Sequence, residues 1–171
     1  MTNGNEQGYH GTAMLSLVGG RTLGIAKGVN PCLVRLSGLR DTGVVRDGIP
    51  VKTGYSPEDW INYLGMLNAA LGAEPREPEP AKFVVLLATY YPTSIFSGSP
   101  YGFMNDLHGL LTQIMKKGGV VVTRSGNIPP GSPIDGWPAN FGKRQLPDTP
   151  TIPELIVAGA VSGDGTYTFY A

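Results

Sequence analysis

A histidine stands between glycines at the start of a short apolar run. Residues 8–20 read GYHGTAMLSLVGG, and the histidine is His10. Histidine is the side chain whose charge changes near neutral pH, so proton transfer is the chemistry that it brings. At the start of a helix, backbone N–H groups disfavour the imidazolium form, and a working imidazole there needs a carboxylate neighbour. A lone histidine at this place is also typical of a plain helix cap.

Other residues that could do chemistry are few. Asp41-Thr42-Gly43 lies in a polar, glycine-containing segment, which predicts a turn. The same letters occur in aspartic proteases, but Leu39-Arg40 is not an apolar pair and the chain has no second copy. His108 interrupts no apolar stripe and is expected to be exposed. Cys32 is the only cysteine, so no disulfide within the chain and no metal cluster is expected, and the residue is predicted to be buried.

Composition limits the class of protein. The 171 residues predict one domain with a core of its own, covering residues 1–171. Acidic and basic residues number 13 each, and charged residues make up 15%, so no basic stripe for a nucleic acid is present. No run approaches the roughly 20 apolar residues that span a bilayer. We therefore expect no nucleic-acid or membrane partner, no cofactor and no metal, and the sequence carries no signal that fixes a compartment.

Three helices are predicted from spacing and end signals. Residues 11–18 are almost wholly apolar, as in a buried helix, and Gly19-Gly20 would end it. Ser56 and the Pro-Glu-Asp that follows are a helix start, and leucines then recur with Trp60 at steps of four, three and four. Apolar residues between 107 and 115 repeat at helical spacing before a Lys-Lys-Gly-Gly ending.

Strand-like runs alternate with these helices. They are residues 33–36, 83–87, 120–122 and 155–157. The continuous apolar run at 83–87 is typical of a parallel sheet that is covered on both faces. The order predicts an α/β fold with three layers around a mostly parallel sheet. Residues 74–80 (EPREPEP) predict an exposed connection, and the loop between 126 and 153 leaves a strand's carboxyl end, where ligands gather.

Three blocks carry a family resemblance. They are His10-Gly11-Thr12 entering an apolar helix, the valine-rich residues 119–127 (GVVVTRSGN), and residues 152–161 (IPELIVAGAV). In this order they resemble the subtilisin-like serine proteases, over about residues 10–169. The resemblance implies a subtilisin-like fold, a polypeptide substrate and serine-type endopeptidase activity. Many members of that family are secreted or vacuolar, but no segment here supports either destination.

The resemblance implies roles for two residues. His10 matches the general base and acid, which takes the proton of a serine hydroxyl and returns it to the leaving amine. Asn127 matches the oxyanion-hole asparagine, whose amide donates to the oxygen that becomes negative during attack. An asparagine after Gly126 is also typical of an ordinary turn.

Departures from the family limit what the chain can do. The family's aspartate lies in an Asp-Thr-Gly or Asp-Ser-Gly turn before the histidine, but no aspartate lies among the nine residues before His10. Asp41-Thr42-Gly43 has the letters of this motif but comes after the histidine, and no Gly-Thr-Ser-Met-Ala serine motif is present. Residues 88–92 (ATYYP) stand where the family has a Ser-Leu-Gly edge that pairs with the peptide, which puts peptide pairing there in doubt. Aromatic packing at a strand end explains the two tyrosines equally well.

The sequence therefore predicts an inactive or truncated form of such a protease, with a fold that is incomplete at both ends. Apolar faces around Met14, Leu17 and Val85 would then be left exposed or would need a partner. A non-catalytic module that binds peptides or partners on the same scaffold remains an alternative. An unrelated α/β domain with a ligand site in the loop at 127–153 is a third.

Overall fold

Two compact units divide the chain, Met1–Leu36 and Ser37–Ala171. The computed structural model describes residues 10–22, 24–32, 40–46, 49–53, 56–72, 83–96, 99–129, 131–142 and 150–166. The predicted protease-like domain over residues 1–171 stays a prediction. Helices and a mostly parallel sheet occur together in the second unit, which confirms the α/β class.

The first unit contains helix α1, His10–Gly19. The helix predicted over residues 11–18 is confirmed and extends one residue further at each end. A Cβ at Gly20 would lie 2.3 Å from the Ser16 carbonyl oxygen, so only glycine allows the chain to leave the helix here. The prediction that this helix is buried is wrong, because Leu17 is 56% exposed, as was expected for the apolar face around Leu17 in a truncated form. An apolar run predicts a helix, but its burial depends on what packs against it.

The segment after α1 turns back on the end of the helix. Ile25 N donates to Leu17 O at 3.3 Å, and Ala26 N donates to Val18 O at 2.8 Å. These bonds satisfy carbonyl groups that the last helical turn leaves free. Cys32 follows and is exposed, so the prediction of a buried cysteine is wrong. The strand predicted at residues 33–36 lies outside the described residues.

The second unit starts with an antiparallel pair, β1 (Arg40–Arg46) and β2 (Ile49–Thr53). Asp41 pairs with Lys52, and the register shifts between Asp41 and Val45. The turn predicted at Asp41-Thr42-Gly43 is therefore wrong, since these residues belong to an irregular part of a strand. Pairing with β2 stabilises an extended backbone that local turn preferences do not predict.

Helix α2, Pro57–Ala70, begins as its sequence predicts. The Ser56 hydroxyl accepts from Asp59 N at 3.1 Å, and the Asp59 carboxylate accepts from Ser56 N at 3.2 Å. This reciprocal pair satisfies backbone donors that the first turn leaves unpaired. Trp60 and Leu64, one turn apart, are buried on the inner face of the helix.

Among the described residues, five strands and one further α-helix follow α2. They are β3 (Phe83–Leu87), β4 (Tyr91–Pro92), α3 (Tyr101–Lys116), β5 (Gly119–Arg124), β6 (Gly136–Trp137) and β7 (Ile156–Ala158). A three-stranded parallel sheet has the order β3-β5-β7, and β4 pairs with β6 in a short antiparallel ladder. The predicted connection at residues 74–80 lies outside the described residues.

One face of the parallel sheet is covered by helix α3, which packs on β5. Val121, at the middle of β5, is fully buried on this side. Three residues of α3 that recur at helical spacing are also fully buried: Leu107, Leu111 and Ile114. A Cβ at Gly119 would lie 2.5 Å from the Phe83 ring, so glycine is needed where α3 turns into β5. This side forms the core that the helical spacing predicts.

The opposite face of the sheet is apolar and exposed. Val84 pairs with Val120, and Val122 pairs with Ile156, so these side chains share one face. Val84 is 68% exposed and Ile156 is 49% exposed. The prediction of a sheet covered on both faces is therefore wrong for the described residues. Val85, predicted to be at risk of exposure, instead lies half-buried on the covered face.

Candidate functional site

The carboxyl ends of β3 and β5 meet at one edge of the sheet. Because the two strands are parallel, with Leu87 beside Thr123, the segments that follow them start next to each other. Ser125 N extends the ladder by donating to Ala158 O of β7 at 2.9 Å. In α/β proteins ligands bind at this edge. The carboxyl edge, defined by the segments after β3, β5 and β7, is therefore the candidate site.

Asn127 lies at the carboxyl edge, three residues after β5 ends, and is exposed. Gly126 before it has φ +107°, a left-handed conformation that favours glycine. Because the chain turns at Gly126, Asn127 does not continue the strand, and its side-chain amide is accessible. An exposed amide can donate a hydrogen bond to an incoming carbonyl or carboxylate oxygen. The role of Asn127 as an oxyanion donor stays a prediction.

His10 is the first residue of α1 and lies in the first unit, whereas Asn127 lies in the second. The structure describes the backbone of His10 but not its side chain. The prediction that the two residues belong to one site therefore stays a prediction.

Tyr90 and Asp135 form a pair at the carboxyl edge that the sequence did not indicate. The Tyr90 hydroxyl donates to the Asp135 carboxylate. Asp135 is also fixed through its backbone, since Thr93 N donates to Asp135 O at 2.8 Å. Burial first, and then the hydrogen bond to Asp135, raise the pKa of Tyr90 to about 12. The phenol therefore keeps its proton at neutral pH and acts as a donor.

A guanidinium group lies beside the same ring. The Arg124 guanidinium carbon is 5.8 Å from the centroid of the Tyr90 ring, within the range of a cation–π contact. Its positive charge lowers the pKa of the phenol, as does the backbone hydrogen bond at Asp135, but the effect of Arg124 is the smallest of the influences on Tyr90. The carboxyl edge thus combines a cation, a carboxylate and a protonated phenol.

Asn140 holds the loop that carries Asp135. It is buried, and its amide satisfies both hydrogen bonds when the nitrogen donates to Ile134 O at 2.9 Å and the oxygen accepts from Gly136 N at 3.2 Å. These bonds bracket Asp135 from both sides in the sequence. The following peptide bond, Trp137–Pro138, is cis. The loop is therefore positioned by a buried polar side chain that lies in a short helical turn, Ala139–Gly142.

The two tyrosines after β3 have different surroundings. Tyr91 is buried, packs on Trp60 at 5.4 Å and on Phe103 at 5.7 Å between ring centroids, and pairs with Trp137 across the β4–β6 ladder. It is a core residue, as the aromatic-packing alternative predicts. Tyr90 is only half-buried and faces the loop at Asp135. One tyrosine of the pair is therefore structural, and the other shapes the carboxyl edge.

His108 is not exposed as predicted. It is half-buried, its ring meets Phe141 edge-on at 5.4 Å, and its Nε2 lies 3.3 Å from Thr151 O. Phe141 is fully buried and lies far from His108 in the sequence. The helical pattern around residue 108 therefore does not predict that the two rings are in contact. His108 contributes to packing rather than to the carboxyl edge.

Across the described ranges, no group of three or more His, Cys, Asp or Glu residues could hold a metal ion. No helix among those described is long and apolar enough to span a bilayer.

Comparison of the chain with family models, with curated proteins and with solved structures gave no match.

Proposed function

We propose that this chain is the central part of the catalytic domain of a subtilisin-like serine endopeptidase. In this proposal His10 is the general base and Asn127 donates to the oxyanion of a polypeptide substrate. The observation that carries the proposal is the position of Asn127, exposed at the carboxyl edge three residues after the valine-rich strand β5. The second and third blocks contain β5 and β7, which are neighbouring parallel strands of one sheet.

The exposed apolar face gives further support. Parallel sheets occur almost only with both faces covered. In the resembled family, elements that carry the serine and additional strands complete the core beside the histidine helix. The three-layer, subtilisin-like arrangement predicted for this chain would cover Val84 and its neighbours in the same way.

The 171 residues on their own are not expected to cleave peptides. A base and an oxyanion donor can polarise a carbonyl group, but an acyl-enzyme needs a nucleophile. Removing the serine or the histidine from subtilisin lowers turnover by about 10⁶-fold. No residue of this sequence matches the family's serine or aspartate. The chain therefore represents an inactive form unless other residues supply these two groups.

Labelling with a serine-directed phosphonate tests the proposal. The 171-residue chain should not be labelled and should not hydrolyse casein. The same chain, extended along its reading frame in both directions, should be labelled and should lose activity on His10→Ala. Asn127→Ala should lower turnover by about 10²–10³-fold with labelling reduced accordingly. An extended chain that is not labelled would remove the endopeptidase proposal.

A second candidate is a non-catalytic module that binds peptides or partners on this scaffold. One observation favours it: the segment after β3 is bulky, with Tyr90 over the carboxyl edge and Pro92, which has no N–H, in β4. We expect such a segment to favour binding of a ligand over its catalytic turnover. The extended reading frame would then show other residues at the aspartate and serine positions, and the chain would bind peptides without cleaving them.

A further inference from the structure

The Tyr90 ring occupies a slot between two glycines of the carboxyl edge. A Cβ at Gly126 would lie 2.7 Å from the ring atoms Cε2 and Cζ of Tyr90, and a Cβ at Gly136 would lie 2.5 Å from Cζ. Side-chain carbons do not approach this closely, so the slot exists because both residues are glycine. The ring fills a space that the backbone has left for it.

Three contacts hold the ring in the slot. The hydroxyl donates to the Asp135 carboxylate, the guanidinium of Arg124 lies near the ring, and the two glycines contact its edge. The raised pKa of Tyr90 agrees with a phenol that remains a hydrogen-bond donor at neutral pH. A side chain that is held in this way does not leave its slot without losing a charge-assisted hydrogen bond.

The slot adjoins the predicted binding group. Gly126, which touches the ring, directly precedes the exposed Asn127. A peptide that places a carbonyl oxygen on the Asn127 amide would bring a neighbouring side chain towards the slot. The Tyr90 ring already fills the space between Gly126 and Gly136, so no further side chain can enter there.

We propose that Tyr90 is a specificity-determining residue of the carboxyl edge. Its ring takes the space beside Asn127 that a large substrate side chain would need, so an extended peptide binds with glycine or alanine at that position and not with phenylalanine. The inference rests on the proposed function, because only the proposed function makes the ligand a polypeptide. It adds the class of substrate, one with a small side chain next to the polarised carbonyl.

The experiment compares peptides that differ at one position. The probes are a fluorescein-labelled hexa-alanine peptide with flanking lysines and six versions of it, each with one alanine replaced by phenylalanine. Binding is measured by fluorescence anisotropy. The wild-type chain should bind one of the six phenylalanine peptides at least tenfold more weakly than the parent. In Tyr90→Gly this loss should disappear at the same position, and in the control Tyr90→Phe it should remain.

A second probe tests the slot without a peptide. p-Cresol has the shape of the tyrosine side chain and should bind Tyr90→Gly, but neither the wild type nor Tyr90→Phe. The additional change Asp135→Asn should weaken p-cresol binding about tenfold, since it removes a charged acceptor. Circular dichroism confirms that each variant is folded. If Tyr90→Gly does not fold, Tyr90→Ala takes its place in both measurements.

The outcomes separate this inference from the proposed function. Peptides that bind the wild type with no weak position, or a weak position that persists in folded Tyr90→Gly, would overturn the role of Tyr90 and leave the peptide site in place. Failure of p-cresol to bind folded Tyr90→Gly would also overturn it. If no peptide binds any variant, the inference fails, whereas the endopeptidase proposal is decided separately by labelling of the extended chain.

Discussion

The two faces of the parallel sheet have similar composition but different surroundings. Val120 and Val121 are neighbours in β5, yet Val120 is 42% exposed and Val121 is fully buried. Helix α3 covers one face, whereas the other presents Val84, Leu86 and Ile156 to solvent. The difference shows that the sequence of these strands suits a sheet covered on both sides, while the described residues cover only one. Function and stability should therefore respond to changes on the two faces in different ways.

The largest effect is expected from a charge in the covered face. Val121→Asp would bury a carboxylate without a partner, which costs several kcal/mol against a total stability of about 5–15 kcal/mol. We expect this variant to lose its cooperative unfolding transition in urea. The matched control, Val120→Asp, should keep the transition because its side chain faces solvent. Equal loss in both variants would mean that the exposed face is covered in solution.

A smaller effect is expected when a leucine is shortened on each face. Leu111→Ala removes a fully buried side chain of α3 and should lower the free energy of unfolding by about 2–5 kcal/mol. Leu86→Ala makes the same chemical change on the exposed face and should cost less than about 1 kcal/mol, since 43% of Leu86 is already in solvent. Urea denaturation of the two variants measures the difference. A larger cost for Leu86→Ala would contradict the assignment of the faces.

The join between α2 and α3 is expected to have a moderate effect. Lys117 is buried, and its Nζ donates to Asn68 O at 2.6 Å near the end of α2, where a cation is favoured by the helix dipole. Lys117→Met should lower the free energy of unfolding by about 1–2 kcal/mol. The exposed neighbour provides the control, and Lys116→Met should change stability by less than about 0.5 kcal/mol. Indistinguishable urea curves for the two variants would show that this bond adds nothing.

The smallest effect on stability is expected at the start of α2, which belongs to neither face of the sheet. Ser56→Ala removes the hydroxyl that accepts from Asp59 N and should cost about 1 kcal/mol. Ser56→Asn should restore most of this stability, because asparagine is an equally good cap. Thermal denaturation compares the three proteins. An unchanged melting temperature in Ser56→Ala would show that Asp59 alone satisfies the helix start.

Local patterns predict the parts of the fold that depend on local interactions. The Ser56 cap, the buried stripe of α3 and the strand β5 are set by residues close to one another in the sequence, and the structure confirms them. The extended backbone at Asp41 is different, because it depends on pairing with strand β2 and not on the residues next to Asp41 in the sequence. Burial of α1 and of Cys32 was predicted from residue type, which contains no information about the surrounding chain.

The carboxyl edge also has one part that local sequence predicts and one part that it does not. The place of Asn127 after β5 could be predicted because a valine run and a glycine mark the end of a strand. The contact between Tyr90 and Asp135 joins residues that are 45 positions apart and depends on Asn140 holding the loop. Neither residue belongs to a recognisable motif. Only the folded chain brings them together.

Sequencing the transcript on both sides of these 171 codons tests the central claim most directly. That claim is that His10 and Asn127 belong to subtilisin-like proteolytic machinery. The account predicts an in-frame Asp-Thr-Gly or Asp-Ser-Gly before His10 and an in-frame Gly-Thr-Ser-Met-Ala after residue 171. Stop codons directly on both sides, together with an intact mass of the native protein that matches a stable monomer of 171 residues, would contradict it.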